Sequence, residues 1–288
     1  MSREAGLKKV AIVPHLEKPE VASSSRELVK WLSGRNIEAC IPYSDAIQLK
    51  ENKLACADNE ISQAELVVVL GGDGTILRAA RLLEGAQVPV LGVNMGQLGF
   101  LSEVRIDDLY PALENIIQGK FEIDRRMMIE GAIFSRGKSI QKITALNEIV
   151  VERGPQRRLL KLSVSINNSL LNNYSVDGLI FSTPTGSTAY SLSAGGPIVT
   201  PGNRLILMTP VCPHGLFKQT LVLPESDEIN AESLGPDEIQ VTISADGVVF
   251  LTEQSIKSIQ VRASQLTTSL VRVTRKSFFD VLRQKLKL

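Results

Sequence analysis

Up to about residue 118 the apolar positions follow two alternating patterns. Residues 8–13, Leu66–Leu70 and Val88–Val93 read as strands, and the unbroken apolar run Leu66–Leu70 as one buried on both faces. Between them the apolar residues return at helical spacing. Val21, Leu28, Val29 and Leu32 do so within residues 20–34, which Gly34 is placed to end. A second such stretch runs from Thr75 to about Glu84, and a third places Leu109, Leu113, Ile116 and Ile117 inward within 106–118. Ile37 to Tyr43 reads as another short strand, and residues 44–63 are polar and mixed. Strand and helix in alternation predict a doubly wound α/β unit on a parallel sheet, with ligands beyond the carboxyl ends of its strands.

After Gly119 the period shortens to two. Residues 121–134, 141–152, 159–166, 170–182 and 239–262 are rich in alternating β-formers. Asn167-Asn168 sits between two of these runs as a hairpin turn would, and Arg153-Gly154-Pro155 reads as another turn. The expected fold class is α/β plus all-β: a doubly wound parallel α/β domain over residues 1–121, then a β-rich, sandwich-like domain over 122–264. Residues 265–288 are expected to pack back on the first domain, the stretch from Lys276 onward being helical or irregular. Its Lys276, Arg283, Lys285 and Lys287 read as a solvated face.

Chemistry concentrates where the run Leu66–Leu70 stops. Gly71-Gly72-Asp73-Gly74-Thr75 follows, and then the helical pattern begins. Glycine allows close backbone approach or positive φ, and amides at the start of a helix favour a phosphate. A loop built for phosphate does not ordinarily carry an acid. Asp73 therefore suggests a second role, either accepting a proton or holding a magnesium ion. The second glycine turn, Asn94-Met95-Gly96-Gln97-Leu98-Gly99-Phe100-Leu101, lies at the same sheet edge. Its Phe100 is either core or the cover of a planar ring. The stretch from Ser182 to Pro197 reads by composition as a flexible loop. It also follows the apolar run Leu179–Phe181 and offers hydroxyls and small residues that can hydrogen-bond a nucleotide without filling its space. Asp177-Gly178 and Asp246-Gly247 are, taken alone, ordinary turn pairs.

Four motifs in order carry a family resemblance. They are Gly71-Gly72-Asp73-Gly74-Thr75; Asn147-Glu148; Asp177-Gly178-Leu179-Ile180 running into Thr183-Pro184-Thr185-Gly186-Ser187-Thr188-Ala189-Tyr190; and Asp246-Gly247. The first is shared with lipid kinases and 6-phosphofructokinases, the long third one is not. The set resembles the NAD kinases from about Val67 to the end; the residues before it match in pattern only. Val248 departs from the glutamine these enzymes often carry after Asp246-Gly247.

The resemblance implies transfer of the γ-phosphoryl of ATP to the 2′-hydroxyl of the adenosine ribose of NAD, in a site between the two domains. It implies Asp73 as general base, with Gly71, Gly72, Gly74 and Thr75 around the ATP phosphates. NAD would be bound by Asp73, Gly74, Phe100, Asn147, Glu148, Asp177, Thr185, Thr188, Ala189, Tyr190, Ser193 and Asp246. Magnesium, or another divalent cation, would arrive with ATP and not in a protein-only metal site. The family also suggests a homodimer or homotetramer. Polyphosphate in place of ATP, NADH in place of NAD, and feedback by NADP or NADPH are left open. The alternatives are a nucleotide-binding sensor without turnover, or a lipid or sugar-phosphate kinase of the same superfamily.

Composition narrows the field. The 288 residues are 43% hydrophobic and 22% charged, typical of a globular protein with ample core. Thirty-two basic and 31 acidic side chains leave a net charge of +1, which gives no footprint for nucleic acid. No apolar run is long enough to span a membrane. Lys8-Lys9 lead straight into the first strand with no signal-peptide core, and Cys40, Cys56 and Cys212 are isolated, so a reducing, cytoplasmic setting is expected. There is no G-x-G-x-x-G fingerprint and no Walker loop. With only His15 and His214 and no Gly-x-Ser-x-Gly elbow, the sequence argues against a serine hydrolase.

Overall fold

The structure is a computed structural model describing residues 7–96, 99–135, 137–154, 159–234 and 238–287. The chain divides into two units, Met1–Arg125 with Thr267–Leu288, and Arg126–Leu266.

The first unit begins with β1 (Lys9–Pro14), α1 (Pro19–Ser33), β2 (Glu38–Pro42), α2 (Tyr43–Leu49), β3 (Ala55–Cys56) and α3 (Asp58–Ile61). It continues with β4 (Leu66–Leu70), α4 (Asp73–Leu83), β5 (Val90–Asn94), β6 (Val104–Arg105) and α5 (Leu109–Ile117). The strands lie in the order β3-β2-β1-β4-β5-β6, every pair parallel. From β1 the chain runs outward through β2 and β3, then returns to the other side of β1 with β4. That reversal makes the β1/β4 boundary a topological switch point, where open α/β sheets leave a crevice at the carboxyl ends of the strands. All residues of β4 and β5 are buried, as unbroken apolar runs require of a doubly covered sheet.

Gly34 ends α1 as expected, with φ −63 in the right-handed region, and the left-handed step falls on Asn36 at φ 58. One local expectation changes. Tyr43, read as the end of a strand, begins α2. Residues 44–63 lack a clear period because their elements are short: α2 has seven residues, α3 four and β3 two.

The chain enters the second unit along β7 (Glu122–Ser135). There follow β8 (Lys138–Ala145), β9 (Glu148–Arg153), β10 (Leu160–Ile166), β11 (Ser169–Val176), β12 (Gly178–Ser182), α6 (Tyr190–Ser193), β13 (Leu205–Val211), β14 (Leu221–Pro224), β15 (Ile229–Ser233), β16 (Ile239–Ala245), β17 (Val248–Ile256) and β18 (Ser258–Arg272). One antiparallel sheet has the order β14-β13-β12-β9-β16-β17. In the other, β11-β10-β15-β18 are antiparallel neighbours, and the β7–β8 hairpin joins at β18. Side chains from both sheets, among them Ile129, Ile149, Phe181, Ile243 and Val261, share one buried cluster, which makes this unit sandwich-like.

The β runs are finer-grained than their sequence pattern. Residues 141–152 break at Leu146-Asn147, between β8 and β9, and residues 170–182 break at Asp177, sending β11 and β12 into different sheets. Residues 239–262 cover β16, β17 and the start of β18. Strands β13, β14 and β15 gave no sequence signal: Pro210 interrupts the first, the second has four residues, and Asn230 and Glu232 alternate through the third. Asn167 and Asn168, at φ 50 and φ 65, form the expected two-residue hairpin loop. Asp246 and Gly247, at φ 49 and φ 76, form another between β16 and β17. Pro155 of the turn expected at Arg153-Gly154-Pro155 lies outside the described residues. The end of β18 returns to the first unit, where Leu270 pairs with Val90, and α7 (Phe278–Leu286) follows, capped by Ser277. Lys276, Arg283, Lys285 and Lys287 are exposed. No described helix is long and apolar enough to cross a membrane.

Candidate functional site

Within the first unit the five residues after β4 do three different jobs. Gly71 is required by packing: a Cβ there would lie 2.9 Å from Thr75 Cβ and 3.0 Å from His15 Cβ. Gly72 caps α4, and Gly74 is its second residue; a Cβ on either would meet nothing within 4 Å. Their backbone therefore faces open space. The first amides of a helix have no intrahelical acceptor, and the helix dipole adds partial positive charge at that end.

Asp73 is the first residue of α4, and its carboxylate reaches the second glycine turn. Oδ2 accepts from the Phe100 amide at 2.8 Å and Oδ1 from the Leu101 amide at 3.1 Å. The turn also fastens itself, through Gly99 N–H to Ser102 Oγ at 2.7 Å and Gly96 N–H to Asn94 Oδ1 at 2.7 Å. A Cβ on Gly99 would overlap the Asp73 carboxylate. The Phe100 ring lies tilted against Phe278, centroids 6.1 Å apart. Gln97 and Leu98 of this turn lie outside the described residues.

A cavity of about 640 Å³ opens at the switch point. Pro14 to Lys18 line it from the end of β1, Gly72, Gly74, Thr75 and Arg78 from α4 and its cap, and Ser44, Asp45 and Gln48 from α2. His15 Nδ1 is buried there with no hydrogen-bond partner among the described residues. Sequence reasoning missed His15, Asp45 and Arg78. The available signal was a basic residue five positions after Asp73, on the same helix.

In the second unit the break between β8 and β9 is the organising point. The Asp246 carboxylate accepts the amides of Leu146 at 2.8 Å, Asn147 at 2.7 Å and Glu148 at 3.3 Å. From the other side, Thr183 N–H donates to Asn147 O at 2.9 Å and Thr183 Oγ1 to Leu146 O at 2.6 Å. Gly186 is glycine because a Cβ would overlap the Asn147 carbonyl. The stretch that composition reads as a loop is thus a bonded turn: Thr183, Thr185, Ser187 and Ser191 are all buried, a 3-10 turn spans Gly186–Thr188, and α6 follows.

These bonds press two polar side chains inward. Asn147 Oδ1 and Glu148 Oε2 are buried, and neither has a partner among the described residues. Burial, and then the charge of Asp246, push the Glu148 carboxyl up to about 7, against the Tyr190 amide, which favours the ionised form. Thr185 is buried and accepts from Nη1 of the equally buried Arg126 at 3.2 Å, a residue with no sequence signal. Thr188 donates to Thr185 O at 3.3 Å, and Ala189 N–H to Gly186 O at 2.9 Å. Tyr190 is 38% exposed; its hydroxyl donates to Glu152 at 3.3 Å, and burial and that carboxylate raise the phenol. Asp177 pairs with Arg153 at 3.3 Å, and Ser193 is exposed at the end of α6.

Asp73, its flanking glycines and Phe100 therefore form one cluster in the first unit. Asn147, Glu148, Thr185, Tyr190 and Asp246 form another in the second. Asp177, paired with Arg153, lies near enough to the second cluster for its charge to help raise the Tyr190 phenol, and Ser193 ends α6, the helix that Tyr190 begins. Among the described residues no group of three His, Cys, Asp or Glu side chains is arranged to hold a metal ion.

Comparison with known proteins gives a consistent result. Residues 10–121 match the ATP-NAD kinase N-terminal domain, and residues 146–273 match the ATP-NAD kinase C-terminal domain. An NAD kinase of Moorella thermoacetica is 40% identical over 98% of this chain and 90% of its own length. One from Geobacter sp. (strain M21) is 39% identical over 98% and 99%. Among solved structures, yeast NADH kinase complexed with NADH superposes with a TM-score of 0.87 at 27% identity, covering 99% of this chain and 88% of that one. An NAD kinase from Archaeoglobus fulgidus shares the fold at a TM-score of 0.74 and 21% identity, covering 97% and 98%. Both domain families in sequence order, and relatives similar over nearly the whole chain, place this protein in the ATP-NAD kinase family of phosphotransferases.

Proposed function

We propose that this chain transfers the γ-phosphoryl group of ATP to the 2′-hydroxyl of the adenosine ribose of NAD, releasing NADP and ADP. Asp73 takes the hydroxyl proton. The ribose oxygen then bonds to the γ-phosphorus as the bond to the bridging oxygen of ADP breaks. The amides of Phe100 and Leu101 fix the carboxylate in one orientation, and each of its oxygens keeps a lone pair for the incoming proton. Such positioning matters because a base must lie within hydrogen-bond reach of the proton it removes, and phosphoryl transfer depends mainly on placement and charge stabilisation.

The first unit is the phosphate side of this reading, with Gly71, Gly72, Gly74 and Thr75 around the donor and Phe100 near a base. The second is the NAD side. Asn147 and Glu148 receive the adenosine, and Thr185, Thr188, Ala189, Tyr190, Ser193, Asp177 and Asp246 border the rest. The observation that carries it is the pair of buried, partnerless acceptors, Asn147 Oδ1 and Glu148 Oε2. Ribose hydroxyls and an adenine amino group are donors of the kind such atoms need. A divalent cation would arrive with ATP, held by phosphate oxygens. Magnesium bound to the phosphates would neutralise charge on the donor.

Purified protein given NAD, ATP and magnesium should form NADP and ADP in equal amounts. NAD binding without NADP would favour a sensor. Parallel reactions with polyphosphate and with NADH would fix the donor and acceptor range. We take the protein to act in the cytoplasm as a homodimer or homotetramer; light scattering of the purified chain would check the oligomeric state.

A further inference from the structure

We propose that Asp45 is a positioning residue for the phosphoryl donor, acting through Arg78. The inference rests on the reading of the switch-point cavity as the donor side. Asp45 is 2% exposed, yet it is an acid on the short helix α2. Both of its carboxylate oxygens accept from Arg78 Nη2, at 2.6 Å and 2.7 Å, and Ser44 Oγ donates to Oδ1 at 3.2 Å. Arg78 Nη1 donates to the Pro14 carbonyl at 3.4 Å.

A guanidinium carries five N–H groups. The bonds to Asp45 and Pro14 leave Nε–H and one Nη1 hydrogen outside the pair, on a side chain that lines the cavity beside Gly72, Gly74 and Thr75. The buried His15 Nδ1 without a partner among the described residues is a second sign that the same wall awaits a polar ligand. An arginine side chain free in solution samples many rotamers. Asp45 removes that freedom before the ligand arrives and sets the guanidinium plane, so less is lost when an anion binds.

Asp45 also has a countervailing effect, because its negative charge lowers the attraction of the cavity for phosphate. The two effects move affinity in opposite directions, which makes the proposal testable by sign. Pre-organisation of one such side chain is worth about three- to tenfold in affinity. The experiment measures KM for ATP and for NAD, and kcat, in Asp45→Asn, Asp45→Ala, Arg78→Ala and the double variants.

The proposal expects KM for ATP to rise in the order parent, Asp45→Asn, Asp45→Ala, because the amide retains one acceptor oxygen and alanine none. KM for NAD stays at the parent value. In the Arg78→Ala background neither Asp45 substitution raises KM for ATP further, and loss of the negative charge lowers it. Should Asp45→Ala fail to fold, Asp45→Asn in the two backgrounds decides alone. A fall in KM for ATP in either Asp45 single variant would overturn the proposal, with charge dominating. Equal losses for ATP and NAD would also overturn it, as a purely structural role. An unchanged KM for ATP in Arg78→Ala would instead overturn the donor reading of the cavity on which the proposal stands.

Discussion

Gly99 and Asp73 share one space: the carboxylate of Asp73 lies where any side chain at position 99 would begin, and it bonds the two amides that follow. Gly99→Ala must therefore displace either the turn or the proposed base. Activity is expected to fall by up to about 10²–10⁴-fold, the range for general-base loss, while NAD binding by calorimetry is kept. Parent-like kcat in this variant would show that the carboxylate has room to relocate without loss.

Gly74 gives the opposite kind of test. A Cβ there meets nothing within 4 Å beyond its chain neighbours and its own helix backbone, and the residue sits in the first turn of α4. Gly→Ala at a compatible helical site stabilises by about 0.4–1 kcal/mol through the unfolded state. Gly74→Ala should keep or raise the melting temperature and still raise KM for ATP, because the methyl enters the space ascribed to phosphate. A variant that gains stability with unchanged KM would place the phosphates elsewhere.

Much of this is legible in the sequence, and the exceptions have physical reasons. Leu66–Leu70 and Gly71–Thr75 announce strand, turn and helix because a doubly buried strand is uniformly apolar and a close backbone approach needs glycine. Asn167-Asn168 announces its hairpin because both positions need positive φ. Asp246-Gly247 is the ordinary turn its composition suggests and also the acceptor for three amides about a hundred positions away, a long-range pairing that no local pattern encodes. Asp45 and Arg78 are invisible for the same cause: residues 33 positions apart meet only once the sheet has brought α2 and α4 to one end. The stretch from Ser182 to Pro197 looks like a loop because its hydroxyls resemble solvated ones, whereas Thr183, Thr185, Ser187 and Ser191 are buried and hydrogen-bonded.

Asp246→Ala should affect both stability and NAD binding. Removing the carboxylate strands the amides of Leu146, Asn147 and Glu148. Leaving buried donors unsatisfied costs on the order of 1–3 kcal/mol each, so thermal unfolding should begin several degrees earlier. KM for NAD should rise more than KM for ATP. An equal rise for both substrates would argue against Asp246 as the support of Asn147-Glu148.

The Glu148 carboxyl, pushed up to about 7 chiefly by burial, sets a pH dependence with a definite sign. Its folded pKa lies above the unfolded value, so the folded state binds the extra proton. The contribution of this one group to stability is fully present at low pH. It declines as pH rises from about 4.5 through about 7, by on the order of 3 kcal/mol. Binding runs the other way: ribose hydroxyls and an amino group donate best to the ionised carboxylate. KM for NAD should therefore fall between about pH 6 and 8, across that titration. Glu148→Gln should flatten both profiles, and a parent-like pH dependence in that variant would assign it to another group.

The role of Asp73 as base is decided by the rate of NADP formation in Asp73→Asn beside the parent, with NAD binding measured on the same samples. The amide keeps the size of the side chain and one acceptor oxygen but takes up no proton. The expected result is a loss of about 10²–10⁴ in kcat with NAD affinity essentially unchanged. A variant that still makes NADP within a few-fold of the parent rate would refute the assignment.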